Sequence, residues 1–111
     1  MIEQRDLLLV PFPFSDQSGR KVRPVIAISN NEFNLNSEDI IVIGVTSNIS
    51  KDKYTIHLTN NSLDEGKFFT PCYIKVENIL KLDKDLIIKK IGKIKKDVFK
   101  LVLNKFIEII R

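Results

Sequence analysis

This 111-residue chain has one cysteine, Cys72, and one histidine, His57. A single cysteine excludes an internal disulfide. The pair offers no zinc constellation, which needs several ligands at set spacing. No apolar run approaches the roughly 18 residues of a membrane span. The first residues, Met1-Ile2-Glu3-Gln4-Arg5-Asp6, carry charges of both signs and no signal-peptide pattern. A phosphate-cradling glycine loop and a paired-carboxylate motif are missing, as are repeats, linkers and low-complexity segments. The expectation is one cytoplasmic domain covering residues 1–111, with no metal and no cofactor.

What is present is enough for a core. Apolar residues make up 43% of the chain, and charged residues, at 29%, keep it soluble. The net charge of +4 is unevenly placed. Residues 75–111 hold eleven Lys/Arg against five Asp/Glu, a net +6, while residues 1–74 hold seven against nine, a net −2. A basic surface suits a polyanion, but the run Lys81, Lys84, Lys89, Lys90, Lys93, Lys95 and Lys96 reads first as a solvated face.

Most of the chain reads as short strands. Asp6 to Phe14 is extended and apolar, and Pro11 and Pro13 exclude a helix and suit a strand end or an edge. Ser15 to Lys21 is a loop by composition. Val22 to Ser29 is a second strand, and Ile40 to Thr46, almost wholly β-branched, is a buried third. Asn30 to Asn36 allows one helical turn. Tyr54 to Leu58 alternates as a half-exposed strand does. Cys72 to Val76, Ile79 to Leu82 and a stretch within Leu86 to Ile94 are further strands. Asn60 to Ser62, Asp64 to Lys67 and Asp83 to Asp85 read as turns. Asp97 to Ile110 differs, with Val98, Val102, Phe106 and Ile110 on one helical face and Phe99 and Leu103 beside them. The predicted fold is mainly β with helices: a small, strongly curved antiparallel barrel with a C-terminal α-helix packed against it.

Arg23 stands between a polar turn and an apolar run. Pro24 fixes its own φ and biases Arg23 to extended backbone, so the guanidinium is expected at the mouth of a buried strand. A planar, permanently charged fork suits a phosphodiester. Thr46 ends another apolar strand. If the two strands pair antiparallel, the start of one lies beside the end of the other, and a cation and a hydroxyl face one spot. Thr46 reads equally as a plain backbone cap. His57 reads either as a general base for a ribose hydroxyl or as a surface histidine sharing an outward face with Thr55 and Thr59. Cys72, after Pro71, has no partner base near it in sequence and reads as a buried, inert thiol.

Four stretches, taken in order, resemble the MazF/PemK family of bacterial toxin endoribonucleases. Val10-Pro11-Phe12-Pro13-Phe14 leads into a polar loop with Ser18-Gly19. Arg23-Pro24-Val25 opens an apolar strand ending Ile28-Ser29-Asn30. Thr46-Ser47 closes the run from Ile40. Cys72-Tyr73-Ile74-Lys75-Val76-Glu77-Asn78-Ile79 is followed by Leu82-Asp83, Ile91-Gly92 and a closing helix. The resemblance implies an SH3-like barrel and a homodimer that cuts single-stranded RNA at short sequences without a metal. It also implies a cognate antitoxin that lays a flexible segment over the RNA groove. It places the essential arginine at Arg23 and the essential threonine at Thr46, and RNA contacts at Ser18, Gly19, Arg20, Lys21, Lys67 and Asn78. Cys72, where the family often has serine, and the loops around Lys51 and Lys67 depart from the pattern. That leaves the target sequence unread. The implied chemistry is attack of a 2′-hydroxyl on its own phosphate, giving a 2′,3′-cyclic phosphate and a 5′-hydroxyl. Two rivals share the fold: a toxin that inhibits a DNA-handling enzyme such as gyrase by binding alone, and an inactive nucleic-acid-binding barrel.

Overall fold

The computed structural model describes residues 1–12, 21–49 and 51–111. Its elements are β1 (Asp6–Phe12), β2 (Lys21–Ala27), α1 (Asn31–Asn36), β3 (Asp39–Thr46), β4 (Thr55–Leu58), β5 (Leu63–Glu65), β6 (Cys72–Asp83), β7 (Lys89–Ile94) and α2 (Lys96–Ile110). The strands form one sheet in the order β4-β6-β3-β2-β1-β7-β5, and every pairing is antiparallel. Its two edge strands, β4 and β5, are joined by a single 3-10 turn at Asn60–Ser62. So short a link holds the two edges close together and curls the sheet into a barrel. This is the predicted architecture, with α2 packed against it.

The unbroken apolar runs are explained by burial on both sides of the sheet. Leu7, Ile26, Ile43, Val45, Ile56, Leu58 and Ile74 share one core cluster with Phe99 and Val102 of α2. Their neighbours Leu8, Val25, Ala27 and Val42 turn the other way into a second cluster with Val10, Ile40 and Leu82. Alternation is hidden because both faces are apolar in the middle of the sheet. Each large side chain buried this way contributes about 1.5–3 kcal/mol. Pro11 lies beyond the β1–β7 ladder, which ends at Leu9, so it meets the strand end where its missing N–H costs least.

Several expectations need correction. Asp64 and Glu65, read as part of a turn, belong to β5, which pairs with β7. The two strands predicted at Cys72 to Val76 and Ile79 to Leu82 are one strand, β6, interrupted by a bulge rather than a turn. On α2, Leu103 and Ile110 point outward at 39% and 65% exposure, and Ile109 takes the packed position instead. The reason is geometric. Steps of four residues drift by about 40° each on a helix of 3.6 residues per turn, so the fourth residue of such a series leaves the face. The helical turn at Asn30 to Asn36 forms as α1, where the Asn30 side chain caps the N–H of Phe33 at 2.8 Å.

A second set of contacts fixes β7 against β1. Asp6 is 1% exposed, and its carboxylate lies 3.4 Å from Lys90 Nζ and 3.6 Å from Lys93 Nζ. Glu3 pairs with Lys93 at 2.8 Å and Glu65 with Lys90 at 3.2 Å. The hydrogen bond and charge of Lys93 hold the Glu3 carboxyl below its ordinary value. Burial pulls the Lys90 ammonium down, but the Glu65 hydrogen bond and the Asp6 and Glu65 charges outweigh it and raise it. Part of the lysine run is therefore committed to structure. Lys84 also donates to the Asn34 carbonyl at 2.7 Å.

Candidate functional site

Arg23 is the third residue of β2, which starts one residue earlier than expected, at Lys21, and it pairs with Val10 of β1. On the other side of β2 the ladder with β3 runs only from Val25–Gly44 to Ala27–Val42. The same register carried two residues further sets Arg23 opposite Thr46. Pro24, which has no N–H to give, sits where the pairing stops. The strands part there, and a cleft of about 360 Å³ opens between them, lined by Arg23, Pro24, Gly44, Thr46, Glu77 and Asn78 among others. Arg23 and Thr46 are both half-buried.

Face assignments agree with this. Val45 and Ile43 point into the α2-side core, so Gly44 and Thr46 point out. Val25 belongs to the opposite cluster from Ile26, and Arg23 shares the face of Val25. The Thr46 Oγ1 accepts the N–H of Asn48 at 3.1 Å. The threonine therefore acts as the local cap the sequence allowed, and its hydroxyl hydrogen can still be donated into the cleft.

The floor of the cleft comes from the bulge in β6. Ile43 pairs with Ile79 and Val45 with Ile74, so Lys75, Val76, Glu77 and Asn78 all stand against Gly44. Val76 stays in the core, while Glu77 and Asn78 are exposed. Sequence reasoning puts Asn78 among the RNA contacts but gives Glu77 no role. Its carboxylate lies 4.0 Å from Lys75 Nζ. Only the bulge, which no local pattern announces, brings it to the cleft that Arg23 lines.

Other expected residues fall elsewhere. Ser18, Gly19 and Arg20 lie outside the described residues, and Lys21 is the first residue of β2. Lys67 is not in the Arg23 cleft. It lines a neighbouring one of about 540 Å³ with Leu9, Pro24, Phe69, Cys72 and Lys89, and its Nζ sits 5.4 Å from the Phe69 ring centre. His57 is exposed on β4 and stacks on Tyr73, with ring centres 4.8 Å apart and planes 17° from parallel. Cys72 is buried, its thiol 3.4 Å from the Thr70 carbonyl, and burial raises its pKa, as an inert thiol requires. Among the described residues no group of three His, Cys, Asp or Glu side chains is placed to hold a metal ion, and no helix is long and apolar enough to cross a membrane.

Solved structures share this architecture. An endoribonuclease in complex with its cognate antitoxin, from a mycobacterial species, is 14% identical, with 99% of this chain and 95% of that one covered and a TM-score of 0.81. A MazE-MazF complex from Deinococcus radiodurans is 16% identical over 98% and 95%, with a TM-score of 0.80. The Mycobacterium tuberculosis toxin MazF-mt6 is 13% identical over 95% and 94%, at 0.74. At such identities the likeness shows the fold alone. Among curated proteins no sequence matches the chain. The family match is of another order: residues 3–110 match the family described as PemK-like, MazF-like toxin of type II toxin-antitoxin system, and the chain belongs to that family.

Proposed function

We propose that this toxin is an endoribonuclease that cuts single-stranded RNA in the cleft between β2 and β3. The observation that carries the reading is the placement of Arg23 and Thr46 on one outward face, lining one cleft. Each anchor is preset by backbone: Arg23 by Pro24 and the β1 ladder, Thr46 by its bond to Asn48. In this reaction RNA supplies its own nucleophile. The 2′-oxygen bonds to the adjacent phosphorus, the bond from phosphorus to the 5′-oxygen breaks, and the 2′-hydroxyl loses a proton while the leaving oxygen gains one. The protein's part is to orient the phosphate and stabilise the charge that builds on it. Arg23 binds the non-bridging oxygens through its fork, and Thr46 donates to one of them. Arginine stays protonated and is not a base. Glu77, which lines the cleft, is the carboxylate there able to take the 2′-proton. Asn78 is exposed beside it and suits an unpaired base edge, as Lys67 and the residues Ser18, Gly19, Arg20 and Lys21 suit the flanking strand.

The same reading includes a cytoplasmic place of action, a homodimer and an antitoxin. Leu103, Ile107 and Ile110 leave apolar surface on the outer side of α2, and C2 dimers are the commonest assembly. An acidic, partly apolar antitoxin segment that orders on binding would cover the Arg23 cleft and compete with RNA. The test is incubation of wild-type protein and Arg23→Ala with a long single-stranded RNA in EDTA. Discrete cuts by the wild type alone support the reading. Intact RNA with the wild type leaves a binding toxin or an inactive barrel.

A further inference from the structure

The cleft has a neighbour on the same face that the sequence did not announce. Thr46 pairs directly with Tyr73 across β3 and β6, and Tyr73 pairs directly with His57 across β6 and β4. Cross-strand partners point to the same side of a sheet. Cys72 and Ile74 flank Tyr73 in sequence and enter the core, as Ile56 and Leu58 do around His57, so both rings stand outward. One row therefore reads Thr46, Tyr73, His57. At an interstrand spacing of about 4.8 Å, the tyrosine is one step from the threonine and the histidine about 10 Å away.

The two rings stack on each other at 4.8 Å, which occupies one face of each. The opposite face of Tyr73 is on the side of Thr46, and that of His57 is on the side of the sheet edge. A planar ring held one strand from a phosphate-binding pair is what an unpaired base stacks upon, and stacking asks nothing of base identity. Resting on the reading of the cleft as an RNA-cleaving site, we propose that Tyr73, braced by His57, is a stacking platform for the base next to the scissile phosphate. A pair that served only the sheet would stabilise the β4–β6 ladder and leave RNA binding untouched.

The chain has two tyrosines and no tryptophan, so Tyr54→Phe leaves Tyr73 as the only tyrosine emitter. This variant is titrated with an end-labelled single-stranded RNA of mixed sequence, 2′-O-methylated throughout so that it cannot be cut. A second titration uses an abasic oligonucleotide of the same length. Label anisotropy reads binding, and tyrosine emission reads stacking. The expected result is quenching that follows RNA binding and no quenching by the abasic strand. Tyr73→Leu in the full chain should then bind RNA about tenfold more weakly or worse, and Tyr73→Phe should bind as the wild type does. RNA that binds without changing the emission overturns the proposal, as does equal quenching by the abasic strand or undiminished binding by a folded Tyr73→Leu. If the RNA does not bind and unmodified RNA is not cut, the nuclease reading itself falls, and this inference with it.

Discussion

Val25 of β2 and Gly44 of β3 are the last pair of their ladder, and the site lies just past them. The ladder between the two strands stops at this pair, and the same register carried two residues further sets Arg23 opposite Thr46. Arg23, held on its other side by β1, and Thr46, held by β6, both line the cleft there. Loss of either should remove function without loss of fold. Arg23→Ala and Thr46→Ala are each expected to slow RNA cleavage by about 10²-fold or more. Arg23→Lys should recover little, because an ammonium cannot reproduce the fork. Thr46→Ser should recover most. Rates on a defined RNA, with thermal melts as controls, check this.

Glu77 gives a sharper test of the chemistry. If it takes the 2′-proton, Glu77→Gln should slow cleavage by about 10²-fold while leaving binding of a non-cleavable RNA unchanged. His57→Ala, removing the only histidine, should leave the acid–base behaviour of the cleavage step in place. A pH–rate profile that loses its neutral limb in His57→Ala would return the histidine to the role of base.

Two glycines carry the β5–β7 contact. A Cβ on Gly92 would lie 2.6 Å from the Glu65 carbonyl oxygen, and one on Gly66, at φ +84°, would lie 2.3 Å from that of Ile91. Backbone lies in the way of both, so neither clash is relieved by a side-chain rotation. Gly92→Ala and Gly66→Ala are each expected to cost about 2 kcal/mol or more in urea unfolding. Gly44→Ala, whose Cβ would meet Asn78 Cβ at an ordinary 3.6 Å, should unfold close to wild type.

The Asp6 network predicts a stability maximum near neutral pH. Glu3 is more acidic in the folded chain than in the unfolded one. The unfolded chain therefore binds more protons in acid, and the contribution of Glu3 is present at neutral pH and lost as pH falls through the carboxylate range. Lys90 is raised, so its contribution holds below its unfolded value and is lost as pH rises through the folded one. Glu3→Gln should flatten the acid limb of stability against pH. Asp6→Ala leaves Lys93 with Glu3 and Lys90 with Glu65 but removes the buried carboxylate that both lysines share and that accepts the Glu3 N–H, and should cost about 1–3 kcal/mol.

Both sides of the cleft are legible in the residues alone. Pro24 after Arg23, and Thr46 at the end of a β-branched run, mark them, because proline and strand ends act locally. The bulge at Lys75–Asn78 is not legible: β6 is bent by what pairs with it, and its own sequence reads as two strands. Glu77 escapes notice for that reason. Tyr73 reads only as part of a strand, since its meaning depends on Thr46 and His57 lying opposite it. On α2, a four-residue step extended too far misplaces Ile110.

Whether this toxin cuts RNA by 2′-hydroxyl attack is decided by the ends that cleavage leaves. Purified protein is incubated with a long single-stranded RNA in EDTA, and the fragments are mapped and their termini identified. The predicted result is discrete cuts with 2′,3′-cyclic phosphates upstream and 5′-hydroxyls downstream, all lost in Arg23→Ala. Intact RNA, fragments bearing 5′-phosphates, or the same cuts from Arg23→Ala would contradict it.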